Sequence, residues 1–143
     1  MDDRTERRIL DKAEYVREAV TVLAKQRDDL SLEEYRSDRH RRDIVEREFE
    51  TAIEACIDIG KLLLRANDAD VPETNAGVFR TLGDRGTLDA ETARRMAAAA
   101  GFRNVLSHQY GAEIDDRDVY NFLRDELPLF RSYLEAVRVA LDE

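Results

Sequence analysis

The chain has 143 residues, of which 43% are hydrophobic and 38% are charged, and its formal net charge is -9. This length and composition are typical of one globular domain, so a single helical domain over residues 1–143 is expected. The sequence contains neither the roughly 18 consecutive apolar residues of a membrane span nor the apolar core of a signal peptide, so a cytoplasmic protein without membrane contact is expected. The acidic charge argues against a general affinity for nucleic acid, which usually needs a basic face.

Apolar periodicity predicts an all-α protein. The chain has two prolines, six glycines and no run that alternates strictly between apolar and polar residues as a strand does. A first helix is predicted over residues 3–27, where apolar residues recur four and three positions apart and form one buried face. These residues are Ile9, Ala13, Val16, Val20 and Leu23.

Cap signals separate this helix from a longer second one. Ser31, followed three residues later by Glu34, is typical of a capping box, in which two side chains satisfy backbone N–H groups at a helix start. The same apolar spacing returns over residues 45–63 and predicts a long helix, which Asn67 and Pro72 end.

The remaining sequence predicts a short helix and two longer ones. The short helix is predicted over residues 76–82, and Asp89 is a cap for a helix that runs into residues 103–110. Carboxylates at residues 113–118 favour the start of the final helix, which Pro128 should kink or restart. Three helices have regular apolar spacing, and the helix that begins after Asp89 and runs into residues 103–110 is the fourth. Together they predict an antiparallel four-helix bundle with an extra short helix.

Residues 103–110 combine five polar side-chain chemistries in one short segment, carried by Arg103, Asn104, Ser107, His108 and Tyr110. Arginine binds phosphate and histidine transfers protons near neutral pH, so the segment suggests chemistry on a phosphodiester. On a helix, Arg103 and His108 point about 140° apart and would flank the edge of a cleft. Arg-x4-His alone also fits an ordinary helix C-terminus with charge-compensating side chains and a tyrosine anchor.

This segment resembles the HEPN superfamily, most closely its HepT-like branch of toxin proteins. That branch carries Arg-x4-His-x-Tyr, commonly with asparagine after the arginine, and here the motif consists of Arg103, Asn104, His108 and Tyr110. Three further segments are also similar to that branch: residues 52–60, residues 101–102 and residues 113–114. The resemblance extends from about the first helix to the last.

The resemblance implies a HEPN-like bundle that forms a homodimer, with the motif helices near the two-fold axis, and that cleaves RNA without a metal ion or another cofactor. Each chain offers one motif histidine, whereas a symmetric dimer brings two together. We therefore expect His108 of one chain to take the 2′-OH proton while its symmetry mate protonates the leaving oxygen. Arg103 is expected to hold the phosphate bidentately.

The resemblance also implies a partner and an off-switch, as in a type VII-like toxin–antitoxin pair. In HepT-like systems the antitoxin is a minimal nucleotidyltransferase that transfers AMP to the motif tyrosine, which is Tyr110 in this chain. The added phosphate would compete with RNA for Arg103. A tyrosine packed at the dimer interface is the alternative interpretation, and it is compatible with modification.

Glu54 and Asp58 lie four residues apart and share one face of the predicted second helix. A buried carboxylate is costly unless it is paired, and Arg103 is a natural partner, so a structural pairing is favoured over direct catalysis. Asn104 either orients the substrate or the motif histidine, or satisfies a backbone group. For Ser107 a structural role is favoured.

Residues 36–42 form the densest basic run, and they either guide RNA into the cleft or form a solvated helix face, which is favoured. No phosphate-binding loop and no metal-ligand spacing is recognisable. The alternative to a ribonuclease is a HEPN protein without nuclease activity that presents a substrate to the nucleotidyltransferase. The intact pair of Arg103 and His108 favours the ribonuclease.

Overall fold

The computed structural model describes residues 1–109 and 113–143. Within these residues the chain forms seven α-helices and no strand. In chain order they are α1 (Asp3–Asp29), α2 (Leu32–Ser37), α3 (Arg39–Ala66), α4 (Asn75–Asp84), α5 (Ala90–His108), α6 (Asp116–Asp125) and α7 (Leu127–Leu141). The predicted all-α class is confirmed, and every helix in the described ranges is too short or too polar to cross a bilayer.

The bundle has four helical segments, which are α1, α3, α5 and the consecutive pair α6–α7. Lys12 contacts Asp58 near one end of the α1–α3 pair, and Gln26 accepts a hydrogen bond of 2.8 Å from Arg41 at the other end. Since residue numbers rise along α1 while they fall along α3, the two helices are antiparallel. The short α4 packs against α3 and α5, so the predicted bundle with an extra short helix is confirmed.

Polar side chains set the helix starts where the sequence predicts them. The Ser31 hydroxyl accepts from the Glu34 backbone N–H while the Glu34 carboxylate accepts from that of Ser31, which completes the capping box before α2. Asp89 caps α5 by accepting from the Thr92 backbone N–H. The predicted final helix is divided into α6 and α7, and Pro128 lies in the first turn of α7, so the restart at this proline is confirmed.

The core centres on α3, whose Phe49 joins three other helices. Its ring packs edge-on against Phe102 of α5 and Phe122 of α6, with centroid distances of 5.7 and 5.0 Å. Phe130 of α7 is stacked at 6.4 Å. Because Phe102 directly precedes Arg103, this aromatic cluster holds the motif part of α5 against α3.

Glu46 of α3 lies partly buried close to two other carboxylates. Burial raises the pKa of the Glu46 carboxyl, and the charges of Asp43 and Asp116 raise it further. The ionised carboxylate is therefore disfavoured in the folded state. The folded state therefore becomes less stable as the pH rises from the pKa that Glu46 has in the unfolded chain to the higher pKa that it has in the folded protein.

We expect Glu46→Gln to raise the melting temperature at neutral pH, because glutamine has no charge to bury. The gain should disappear below about pH 4, where the wild-type carboxyl is protonated in both states. Thermal unfolding followed by circular dichroism from about pH 3 to pH 7 measures it. The same replacement at exposed Glu18 is the control. A gain that is equal at all pH values would contradict the electrostatic explanation.

Candidate active site

The motif histidine lies at the exposed end of a helix. His108 is the last residue of α5, and the Gln109 backbone N–H caps the helix by donating to the Val105 carbonyl at 3.0 Å. His108 therefore lies in the last turn of the helix. Tyr110, the last residue of the motif, lies outside the described residues.

Arg103 points toward α3 and is held there by a carboxylate. Its Nη2 lies 3.0 Å from Oε2 of Glu54, and the two side chains are 22% and 40% exposed. Within the described residues, Arg103 Nε and Glu54 Oε2 are buried without a hydrogen-bond partner, so this contact is an ion pair that lacks hydrogen-bond alignment. The guanidinium carries five N–H donors, so donors are left for a phosphate.

The two predicted acidic partners of Arg103 have different contacts. Glu54 forms the ion pair with Arg103, as expected. Asp58, one turn further along α3, instead lies 3.5 Å from Nζ of Lys12 on α1. The expectation that Arg103 pairs with this acidic face thus holds for Glu54 and is wrong for Asp58, because α1 covers that end of the face.

A second polar contact joins α3 and α5 one turn closer to His108. The Ser107 hydroxyl donates to Oε1 of Glu50 at 3.0 Å, in a partly buried setting. The structural role favoured for Ser107 agrees with this contact. Glu50 was not among the residues singled out from the sequence, although it lies four residues before Glu54 on the same helix face.

Asn104 and His108 are both exposed and share a face of α5 that is turned away from Arg103. Within residues 1–109 and 113–143, the Asn104 side chain forms no hydrogen bond, so a backbone partner for it is not observed there. The motif thus has an anchored cation facing α3 and an amide and an imidazole facing solvent. An arginine can bind a phosphate and an exposed imidazole can transfer a proton near neutral pH, but within one chain the two side chains point in different directions.

An open groove of about 350 Å³ lies between α1 and α3, next to the ion pair of Arg103 with Glu54. Glu54 lines it on one side, and Tyr15 of α1, which is 45% exposed, lines the other. Among the described residues, no group of three or more histidine, cysteine, aspartate or glutamate side chains could hold a metal ion.

The basic run of residues 36–42 mainly ties α1, α2 and α3 together. Arg41 donates to Gln26 at the end of α1, and Arg42 donates to backbone carbonyls of α2. Arg39 lies 3.9 Å from Asp43 and is 86% exposed. The exposed Arg39 fits the favoured interpretation of a solvated helix face, whereas the partly buried Arg41 and Arg42 form structural contacts between helices. Guidance of RNA by this run stays a prediction.

A helical bundle that presents Arg-x4-His at the exposed end of one helix agrees with the resemblance to the HEPN superfamily. The family model described as "Ribonuclease HepT-like" matches residues 9–137 of this chain. A protein named tRNA nuclease HepT, from Aphanizomenon flos-aquae, is 30% identical over 119 residues, which cover 81% of this chain and 80% of that protein. The chain therefore belongs to the HepT-like family of nucleases.

Solved toxin structures have the same fold. A toxin–antitoxin complex with AMP-PNP includes a chain that aligns with a TM-score of 0.86 and 19% identity, over 92% of this chain and 98% of that one. A structure of the tri-AMPylated Shewanella oneidensis HEPN toxin in complex with MNT antitoxin aligns with a TM-score of 0.85 and 19% identity, over 97% and 99%. At these identities the likeness shows the fold alone.

Proposed function

We propose that this chain is a metal-independent endoribonuclease toxin that acts as a homodimer and uses Arg103 and His108 at the dimer interface. One observation carries the proposal: in a HepT-like chain, an arginine anchored by Glu54 and an exposed histidine occupy the last turns of one helix. The curated relative is named a tRNA nuclease, so RNA is the substrate class we favour.

The proposed reaction needs a base, an acid and a cation. His108 takes the proton from a ribose 2′-hydroxyl, whose oxygen bonds to the adjacent phosphorus. The bond from phosphorus to the 5′-oxygen breaks, and His108 of the second chain donates a proton to that oxygen. Arg103 holds the phosphate and stabilises the negative charge that develops on it. In this proposal Asn104 orients the substrate or His108, and Glu54 keeps Arg103 in position.

Cleavage of RNA by the purified chain in the presence of a chelator tests this proposal. We expect defined fragments from a labelled tRNA pool with excess EDTA, and a dimer in analytical ultracentrifugation. Expression of the chain alone should arrest growth. A chain that cuts no RNA but still binds a nucleotidyltransferase would instead support the alternative, a HEPN module that presents a substrate to this partner.

We further propose that a minimal nucleotidyltransferase antitoxin neutralises the chain by transferring AMP to Tyr110. A fold neighbour is described as a tri-AMPylated HEPN toxin in complex with its antitoxin, which supports this partner class. Tyr110 follows His108 by two residues, so a phosphate attached to it adds negative charge close to the catalytic groups. RNA and the modified side chain would then compete for Arg103.

Tyr110→Phe is expected to keep cleavage activity and to escape the antitoxin, because phenylalanine lacks the acceptor oxygen. Co-expression with the antitoxin should rescue growth for the wild-type chain and fail for the variant, and intact-mass spectrometry should detect AMP only on the wild type. Tyr15→Phe, a change at another exposed tyrosine, is the control and should still be neutralised. Rescue of Tyr110→Phe with AMP attached elsewhere would overturn the assignment.

A further inference from the structure

The hydrogen bond between Ser107 and Glu50 is not used by the proposed reaction, yet it lies next to the catalytic histidine. Ser107 directly precedes His108, and its hydroxyl donates to the Glu50 carboxylate at 3.0 Å. A hydrogen bond to an ionised acceptor is roughly twice as strong as one between neutral groups. This contact therefore restrains the turn of α5 that carries the imidazole.

The two polar contacts between α3 and α5 form a regular pair. Glu54 contacts Arg103 and Glu50 contacts Ser107, so partners on both helices are four residues apart and run in opposite directions. The first contact anchors the phosphate-binding cation. The second contact lies one helical turn, about 5.4 Å, closer to the C-terminus of α5, at a turn that the Arg103–Glu54 pair does not contact directly.

Within the described residues, few other contacts restrain the end of α5. Leu106 is buried, whereas Val105 and His108 are exposed, and the Gln109 backbone N–H donates to the Val105 carbonyl. Helix ends fray because their last carbonyls have no intrahelical partner. Among the residues that the structure describes, Ser107 and Leu106 are the ones that hold this last turn against the core.

We infer that Glu50 is a positioning residue, which acts through Ser107 to hold His108 in register with Arg103. This inference rests on the proposed function, because its effect on cleavage presupposes that His108 transfers the proton. Catalytic groups must be held to within about 0.5 Å of their productive geometry. A misplacement of about 1 Å can lower the rate by about 10²-fold, so a loosened helix end should impair turnover.

Steady-state kinetics of RNA cleavage test the effect on turnover. We expect Glu50→Ala and Ser107→Ala each to lower kcat by about 10- to 100-fold with KM changed by less than about twofold. Ser107→Thr and Glu50→Gln should recover most of the loss, since each keeps a donor or an acceptor oxygen at the contact. The double alanine variant should be no slower than either single variant, because both remove the same interaction.

The matched control is Glu48→Ala, the same change on α3 at a residue whose side chain forms no hydrogen bond or ion pair within the described residues. It should cleave like the wild type. A Glu50→Ala variant with wild-type kcat, or one in which only KM rises, would overturn the inference. The latter result would mean that Glu50 contacts RNA itself.

Hydrogen exchange supplies a readout that does not depend on cleavage. Glu50→Ala and Ser107→Ala should speed exchange of the backbone amides from Leu106 to Gln109, whereas Glu50→Gln and Glu48→Ala should not. Faster exchange with no loss of kcat would show that the contact is structural only and would overturn the inference. If the wild-type chain cuts no RNA, the proposed function fails, and with it the catalytic part of this inference. The exchange data then still decide whether Glu50 holds the helix end.

Discussion

His108→Ala is expected to lower RNA cleavage by about 10²- to 10⁴-fold while the protein stays folded, because a positioned acid or base contributes about that much to a rate. The side chain is exposed at the last residue of α5, so its removal opens no cavity in the core. Single-turnover cleavage of a labelled RNA by purified protein measures the loss. Thermal unfolding should be unchanged within about 0.5 kcal/mol, as for other surface substitutions.

His40→Ala is the matched control for this experiment. His40 is the only other histidine, and it is exposed near the start of α3 rather than in the motif. It should leave cleavage unchanged. If His108→Ala cuts RNA as fast as the wild type, the imidazole is not the base or the acid, and the proposed mechanism is wrong.

Arg103→Ala is expected to lower RNA cleavage by about 10²- to 10³-fold. Losses in this range follow when one group that stabilises a developing negative charge is removed. Arg103→Lys should recover only part of the rate, because an ammonium cannot bind a phosphate bidentately. The variants are compared in the same single-turnover assay.

The ion pair with Glu54 makes the catalytic and structural roles of Arg103 separable. Arg103→Ala leaves a partly buried carboxylate without its partner, and we expect a stability loss of roughly 1 kcal/mol, since the pair is partly exposed. Adding Glu54→Ala should restore stability but not cleavage. If the double variant regains cleavage, Arg103 acts only by neutralising Glu54.

Arg95→Ala is the control for loss of an ion pair on the same helix. Arg95 lies two turns before Arg103 on α5 and pairs with Glu126, with side chains 35% and 28% exposed. Arg95→Ala should lower the free energy of unfolding by a similar amount, because this pair is also partly exposed. Cleavage should stay within about twofold of the wild type. If Arg95→Ala lowered cleavage as much as Arg103→Ala, the effect of Arg103→Ala would reflect the loss of any ion pair on α5 and not a specific role of Arg103.

Most of the longer helices and several of their ends were predictable from the sequence because the information for them is local, whereas the break between α2 and α3 and the start of α3 at Arg39 were not predicted. Apolar residues spaced four and three apart placed α1 over residues 3–27, and the structure extends it to Asp29. The capping box at Ser31 and the cap at Asp89 were recognisable because each involves residues only a few positions apart. The same holds for the restart at Pro128, which follows from the missing N–H of proline.

The sequence by itself determined the helical class, several helix ends and the motif with its family. The tertiary structure alone decided which acidic residue meets which partner: Glu54 faces Arg103, Asp58 faces Lys12, and Glu50 faces Ser107. Spacing along one helix places all three carboxylates on one face but does not say how far α5 and α1 slide along it. That register follows from packing across the whole core, including the contacts of Phe49 with three helices, so no local pattern contains it.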